Sequence, residues 1–127
     1  HALEIAKRNV SKVESEGYTL GETIFALKDV EDFNDQVDLV FMNPPFGVKV
    51  RYMDQNFLKK AFGVGKIVYS FHKSESKKFL ESYSRDNNFK ITDVWNFKFP
   101  LKASFKFHSR RIKRIDVSCF RMQKKGF

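Results

Sequence analysis

Cysteine and glycine-rich turns are scarce in this sequence of 127 residues. The single cysteine, Cys119, excludes an intrachain disulfide and a zinc site built from several cysteines. No Gly-x-Gly pattern precedes a predicted helix, because Gly63-Val64-Gly65 leads into a predicted strand instead. The sequence therefore offers no glycine-rich turn of the kind that cradles a nucleotide cofactor.

Long apolar runs and targeting signals are missing as well. No apolar stretch approaches the roughly 20 residues of a membrane helix, and residues 1–4 show no basic-then-apolar signal pattern. We therefore expect no membrane partner and a cytoplasmic or nuclear location, where a lone cysteine stays reduced. A content of 42% hydrophobic and 31% charged residues indicates a globular chain. The length predicts a single domain over residues 1–127.

Positive charge and phenylalanine are what the sequence has in excess. The net charge is +9, and 15 residues are phenylalanine. Between Lys98 and Phe127 there are ten Lys or Arg residues but a single acid, Asp116. Such a concentration favours a polyanionic partner. Nucleic acid is favoured over an acidic membrane surface, since no strongly amphipathic helix accompanies the charge.

The order of the predicted elements indicates the fold class. Periodicity predicts helices over 2–13, 54–62 and 75–83, with Asp54 and Ser74 as caps, and strands over 19–27, 37–42, 66–71, 89–99 (ended by Pro100) and 114–122. The early alternation predicts parallel strands joined by crossover helices, and the last two strands predict an antiparallel hairpin. The predicted class is therefore α/β, with the Rossmann-like outline of a class I S-adenosylmethionine-dependent methyltransferase.

The stretch from Asp38 to Gly47 contains the main functional signal. Its first half predicts a buried strand, which must end at Asn43 because Pro44 and Pro45 cannot donate ladder hydrogen bonds. Proline also favours extended geometry in the residue before it, which places Asn43 at the carboxyl edge of the strand, where ligands bind in open α/β sheets. This edge would carry a carboxamide, a stiff turn and the aromatic Phe46. Such groups are suited to bind a planar base through its amino group. We therefore predict methylation of the amino group of adenine.

Three short blocks resemble a known family. They are Asn43-Pro44-Pro45-Phe46-Gly47, Tyr69-Ser70-Phe71-His72-Lys73-Ser74 and Ala103-Ser104-Phe105-Lys106-Phe107-His108. The first matches the motif of amino methyltransferases, and all three in this order resemble methyltransferase-like protein 5 and its archaeal relatives. The resemblance runs from about Ala2 to about Met122. It implies methylation of N6 of an adenosine in small-subunit ribosomal RNA, with S-adenosylmethionine as the cofactor.

The resemblance also implies that part of the domain is missing. Members of the family open with a strand and a glycine-rich turn that hold the methionine part of the cofactor, and a second strand follows whose final acid binds the ribose. The match here begins at Ala2, in the helix after that acid. We therefore expect an incomplete domain that lacks the first two strands, exposes apolar sheet edges and binds the cofactor poorly by itself.

The same resemblance assigns the catalytic block. The Asn43 side-chain oxygen and the Pro44 backbone carbonyl would accept the two N–H groups of the adenine amine, Pro45 would stiffen the turn, and Phe46 would stack on the extruded base. The alternative is that the two prolines form only a stiff turn and that the phenylalanine fills the core.

A second assignment concerns the cofactor. Asp29 and Val30 follow the predicted strand over 19–27 and match the family position that contacts the adenine of the cofactor, and Asn43 lies on the same side. The carboxylate would accept a hydrogen bond from the adenine amino group, and the valine would pack near the ring. The alternative is that Asp29 is one of several loop acids.

Basic residues in two places are predicted to contact RNA. His72 and Lys73 follow a strand and could bind a phosphate or line the base pocket, with a solvated capping turn as the alternative. A basic loop over about 100–114 would neutralise phosphates through Lys102, Lys106, His108, Arg110 and Arg111. A merely solvated charged face is the alternative there. No second histidine or cysteine stands at metal-ligand spacing, so we predict no metal, and we expect Cys119 in the core.

Other functions remain open at this stage. The Asn-Pro-Pro-Phe motif also serves guanine-N2 methyltransferases acting on RNA and glutamine-N5 methyltransferases acting on release factors, although the basic segment disfavours a protein substrate. A non-catalytic RNA-binding module that lacks the cofactor half is the alternative from a different class. Relatives work with a small zinc-binding activator protein, and the predicted strand edge at Leu20–Leu27 could receive it by strand addition.

Overall fold

Three helices and four strands make up the described part of the chain. The computed structural model describes residues 1–45, 53–102 and 112–126. The helices are Ala2–Ser15 (α1), Met53–Val64 (α2) and Lys77–Asp86 (α3), and the strands are Val37–Met42 (β1), Gly65–Lys73 (β2), Phe89–Lys102 (β3) and Ile112–Lys124 (β4). Short 3-10 turns cover Val30–Asp32 and Ser74–Ser76.

The four strands form one sheet in the order β1-β2-β4-β3. β1 runs parallel to β2, whereas β4 is antiparallel to both β2 and β3. α2 connects the parallel pair, since parallel neighbours need a crossover connection. β3 and β4 form the terminal hairpin that the sequence predicts. The α/β class with an antiparallel end is thus confirmed.

One face of the sheet carries the hydrophobic core. Leu58 and Phe62 of α2 and Leu80 of α3 cluster with Val68 of β2 and Phe120 of β4. Leu58, Val68 and Phe120 are each completely buried. Burying an apolar side chain of this size stabilises a fold by about 1.5–3 kcal/mol. Apolar contact of this kind therefore holds α2 and α3 against the sheet.

The opposite face is open and aromatic. The Phe41 ring lies 6.0 Å from that of Tyr69 and 5.8 Å from that of Phe71, and Trp95 stacks on Tyr69 at 6.1 Å. Phe41 remains 66% exposed and Trp95 44% exposed. α1 buries none of its residues. Within the described residues, the rings on this face therefore have one another as packing partners while a large part of their surface meets solvent.

The predicted strand over 19–27 is wrong for this structure. Residues 18–29 have no regular secondary structure, and Ile24 and Leu27 are 81% and 91% exposed. A strand is held by backbone hydrogen bonds to a neighbour, and no strand in the described part of the chain pairs with this segment. The strand edge predicted at Leu20–Leu27 for an activator protein is therefore not formed.

Several predicted element ends also differ. α2 begins at Met53, so Asp54 lies inside the helix, and it continues through Gly63. The hydroxyl of Ser74 bonds to another serine hydroxyl, in β4, rather than capping a helix. β3 does not end at Pro100 but runs on to Lys102. Since β3 is an edge strand, one side of its backbone has no partner, and a proline is tolerated there.

Gly65 lies where the start of β2 is too close to its surroundings for a side chain to fit. A Cβ there would lie 2.8 Å from Cγ2 of Val40 and 3.1 Å from the carbonyl oxygen of Ala61. Gly65→Ala should therefore force the strands apart and lower the free energy of unfolding by about 1–3 kcal/mol. Urea unfolding followed by circular dichroism measures this change.

Gly63→Ala is the matched control for that substitution. A Cβ at Gly63 meets nothing within 4 Å, and alanine in place of a helical glycine should stabilise by up to about 1 kcal/mol. Equal destabilisation by both substitutions would contradict the close approach at Gly65.

Candidate functional site

The carboxyl ends of β1 and β2 meet at one edge of the sheet. The strands are parallel and in register from Val37 opposite Gly65 to Met42 opposite Ser70. The residues that follow Met42 therefore lie beside the last residues of β2. This geometry brings the first and second of the three sequence blocks together, although 26 residues separate Asn43 from Tyr69 by numbering.

Asn43 and the two prolines follow β1 at this edge. β1 ends at Met42, Asn43 and Pro45 are exposed, and Pro44 is buried between them. Among the described residues the Asn43 carboxamide has no hydrogen-bond partner, so within that part of the chain its oxygen and nitrogen remain available to a ligand. Pro44 can be buried without a lost donor, because its backbone has no N–H to satisfy.

Several predicted site residues lie outside the described residues. These are Phe46, which belongs to 46–52, and Lys106, His108, Arg110 and Arg111, which belong to 103–111. Lys102 is the last residue of β3, and its side chain is likewise not described. Their roles in base stacking and RNA contact stay predictions.

His72 is placed differently from the prediction. It is only 3% exposed, its Nε2 lies 2.6 Å from Oγ of Ser70, and its ring packs against that of Phe120 at 6.0 Å. Burial penalises the charged imidazole and lowers the pKa of His72 from 6.5 to about 4. A buried, uncharged ring supplies no cation to a phosphate at neutral pH, which disfavours a phosphate contact over a place beside the base. The predicted RNA contact of His72 stays a prediction.

Lys73, the neighbour of His72, keeps its access to solvent. It is half-buried as the last residue of β2, opposite Val117 of β4. Successive side chains of a strand point to opposite faces, which is why two adjacent residues of one block have such different surroundings. The predicted RNA contact of Lys73 stays a prediction.

Asp29 and Val30 begin a short turn ahead of β1. Oδ1 of Asp29 accepts a hydrogen bond of 2.9 Å from the backbone N–H of Glu31 and so caps the turn Val30–Asp32. Asp29 is exposed and Val30 is half-buried. An exposed carboxylate beside a partly buried valine suits an adenine amino group beside its ring. Their predicted contact with a cofactor remains a prediction.

The sequence reasoning missed a polar network under the same edge. Oγ of Ser118 in β4 lies 2.6 Å from Oγ of Ser74 and donates to Oδ1 of Asn96 at 2.6 Å. Ser70 and His72 form a second pair beside it. The sequence contained a signal for the second pair. Positions 68, 70 and 72 share one face of β2, and Val68 is in the core. Polar residues in line with a core residue predict a buried polar pair.

Cys119 is buried, as expected from the sequence, at 6% exposure. Burial raises the pKa of its thiol, which keeps it protonated and unsuited to act as a nucleophile. In the described ranges no group of three or more His, Cys, Asp or Glu side chains is placed to hold a metal ion. No helix among those residues is long and apolar enough to cross a lipid bilayer.

The fold and this edge define a class of protein. The structure superimposes on PH1948 from Pyrococcus horikoshii, an inferred RNA methyltransferase, with a TM-score of 0.66 and 40% identity over 76% of this chain and 48% of that one. No protein-family model matches the sequence. The chain therefore has the Rossmann-like fold of class I methyltransferases, represented in part.

Sequence relatives narrow the class. MJ0284 of Methanocaldococcus jannaschii, an uncharacterized protein, is 32% identical over an alignment of 138 positions with gaps, which covers 99% of this chain and 60% of MJ0284. The rRNA N(6)-adenosine-methyltransferase Mettl5 of Drosophila melanogaster is 33% identical over 88 residues, which cover 68% of this chain and 41% of Mettl5. The chain is thus homologous to the Mettl5 methyltransferases over part of their length, which confirms the resemblance carried by the three blocks.

The buried His72 should make folding sensitive to acid. Its pKa is about 4 in the folded chain and 6.5 in the unfolded chain, so the unfolded state takes up the proton first as the pH falls. The free energy of unfolding should therefore decrease between about pH 6.5 and about pH 4, by up to about 3 kcal/mol from this group.

A His72→Leu variant isolates that contribution, because other titrating groups are unchanged. The difference in unfolding free energy between wild type and variant should shrink as the pH falls through this window, measured by urea unfolding at several pH values. A difference that stays constant would show that His72 does not titrate in this way.

Proposed function

We propose that the protein is an S-adenosylmethionine-dependent methyltransferase that acts on N6 of adenosine in RNA, with small-subunit ribosomal RNA as the substrate favoured by the resemblance. The observation that carries the proposal is the Asn43-Pro44-Pro45 segment at the carboxyl edge of two parallel strands, with an exposed carboxamide that has no hydrogen-bond partner among the described residues. The homology to Mettl5 supports the same reaction.

The geometry of the turn suits the chemistry of an aromatic amine. The lone pair of adenine N6 is delocalised into the ring, so the amine is a weak nucleophile. Donation of its two N–H groups to the Asn43 oxygen and to the Pro44 carbonyl would fix its orientation and favour the pyramidal nitrogen of the transition state. Positioning and preorganised electrostatics then supply most of the acceleration, and no strong base is needed.

The chain contains residues for one part of the proposed cofactor, its adenine, but not for its methionine part. S-adenosylmethionine supplies an electrophilic methyl group on a sulfonium. Asp29, which is exposed and bonded to the backbone of Glu31, and the half-buried Val30 would receive its adenine. The chain spans 60% and 41% of the two sequence relatives. A glycine-rich turn for the methionine part is not in this sequence.

The RNA would be held by positive charge near the same edge. Lys73 ends β2, next to the turn, and the basic loop over about 100–114 connects β3 to β4, whose register brings Lys102 opposite Ile112. Basic side chains release counterions from phosphates, and this makes affinity depend on salt. A reducing compartment, the cytoplasm or nucleus, suits such a substrate. The exposed apolar side chains of Leu20, Ile24 and Leu27 are where we propose an activator protein would bind.

Asn43→Ala tests the catalytic turn. The substitution should lower the rate of methyl transfer by about 100-fold or more, because it removes a group that acts on the amine. Binding of the RNA should stay near wild type, since the phosphates are held elsewhere. The natural protein, ribosomal RNA and a labelled methyl donor, with nucleoside analysis of the product, provide the measurement.

The control is Asn56→Ala, which removes a second exposed asparagine, on α2, and should leave both rate and affinity unchanged. Equal loss of RNA affinity in Asn43→Ala would contradict the assigned role. Methylguanosine as the product would replace adenine with guanine as the target. Absence of any methyl transfer by the natural protein would favour the non-catalytic RNA-binding alternative.

The basic loop has its own test. Replacing Arg110 and Arg111 by alanine should reduce the slope of log affinity against log salt by about 1 for each phosphate that is no longer neutralised. Replacing Lys77 and Lys78, an exposed basic pair on α3, should leave that slope as it is. Fluorescence anisotropy of a labelled RNA over a salt series measures it. Equal changes in the two double variants would mean that only total charge matters.

A further inference from the structure

A buried polar pair lies on β2, the strand beside the end of β1 that the proposed catalytic residues follow. Ser70 and His72 alternate on β2 and so share the face of Val68, a core residue. Both are almost fully buried, and the 2.6 Å contact between Ser70 Oγ and His72 Nε2 joins them. This contact and the packing of Phe120 fix the plane of the imidazole ring.

The second ring nitrogen, Nδ1, has no hydrogen-bond partner among the described residues. Ser118 stands opposite His72 in β4, but its hydroxyl is already engaged with Ser74 and Asn96. Leaving a buried polar atom unsatisfied costs about 1–3 kcal/mol. A bond formed in another state of the protein would recover this cost.

The register indicates the nearest candidate acceptor. β1 ends at Met42, opposite Ser70, and an extension of this register by two residues would bring Pro44, which is buried as well, level with His72. Pro44 and Pro45 have no N–H, and their backbone therefore offers only carbonyl acceptors. A bond from the ring to this turn requires that Nδ1 carry the hydrogen and that Nε2 accept from the Ser70 hydroxyl.

We propose that His72 is a positioning residue for methyl transfer. Ser70 holds its ring, and Nδ1–H donates to a carbonyl of the Pro44–Pro45 turn when the base is bound, which keeps the Asn43 carboxamide aimed at the amine. Hydrogen bonds of this kind often become short only in the substrate complex. The inference rests on the proposed function, since it concerns the same turn. An uncharged imidazole also adds no positive charge beside the nitrogen that becomes cationic.

Two amide replacements separate the two ring nitrogens. The amide nitrogen of asparagine takes the place of Nδ1, and that of glutamine takes the place of Nε2. In the natural protein we expect His72→Asn to retain most of kcat, whereas His72→Gln and His72→Leu lose about tenfold or more, as the loss of one hydrogen bond predicts. KM for RNA should not change. If His72→Gln retains kcat and His72→Asn loses it, only the bond to Ser70 matters and the proposal is wrong.

A second measurement tests the proposal without an activity assay. The ¹⁵N shifts of the His72 imidazole distinguish the two neutral tautomers, and the proposal requires hydrogen on Nδ1 in the wild-type protein. Hydrogen on Nε2 would overturn it, even if the substituted proteins fail to fold. Absence of methyl transfer by wild type would refute the proposed function, while the tautomer would still decide whether His72 can donate to the turn.

Discussion

The parallel pairing of β1 with β2 is the constraint on which the rest of the structure depends. Its register places Met42 opposite Ser70, and the close approach of Gly65 to Val40 holds the two strands in that register. Each of the two sequence blocks is an ordinary local pattern by itself. Only the hydrogen bonds between the strands bring the end of β1, which Asn43 follows, beside the part of β2 that carries the buried polar pair.

The two faces of the sheet have different roles because they are covered differently. α2 and α3 bury one face, where Leu58, Val68 and Phe120 are fully buried. The other face carries Phe41, Trp95 and their ring partners, with large exposed fractions. Contiguous exposed apolar surface marks a place of contact. The polar pair of β2 belongs to the covered face, since it lies in line with the core residue Val68.

The second sequence block contains a buried, uncharged side chain next to a partly exposed basic one. His72 and Lys73 are adjacent, yet strand alternation turns one inward and leaves the other partly exposed. Burial keeps the imidazole uncharged, as its lowered pKa shows, so it serves as a hydrogen-bonding group and not as a cation. The reaction proposed for this edge likewise depends on oriented dipoles of an amide and a carbonyl, and it needs little from net charge. The positive charge of the chain is concentrated elsewhere, where it suits a polyanion.

The sequence by itself determined the class of fold, the helices, the four strands of the sheet and the end of β1 before Asn43. These follow from local rules, since hydrophobic periodicity and the missing N–H of proline act over a few residues. It did not determine residues 19–27, whose β-like pattern has no neighbouring strand to bond with in the described part of the chain. It did not determine the end of β3 either. A proline such as Pro100 fits within a strand only where that strand lies at the edge of the sheet, and this position is set by the tertiary structure. The tertiary structure alone decided that His72 is buried and neutral, because the alternation of β2 shows which residues share a face, whereas the packing of other elements decides which face is covered.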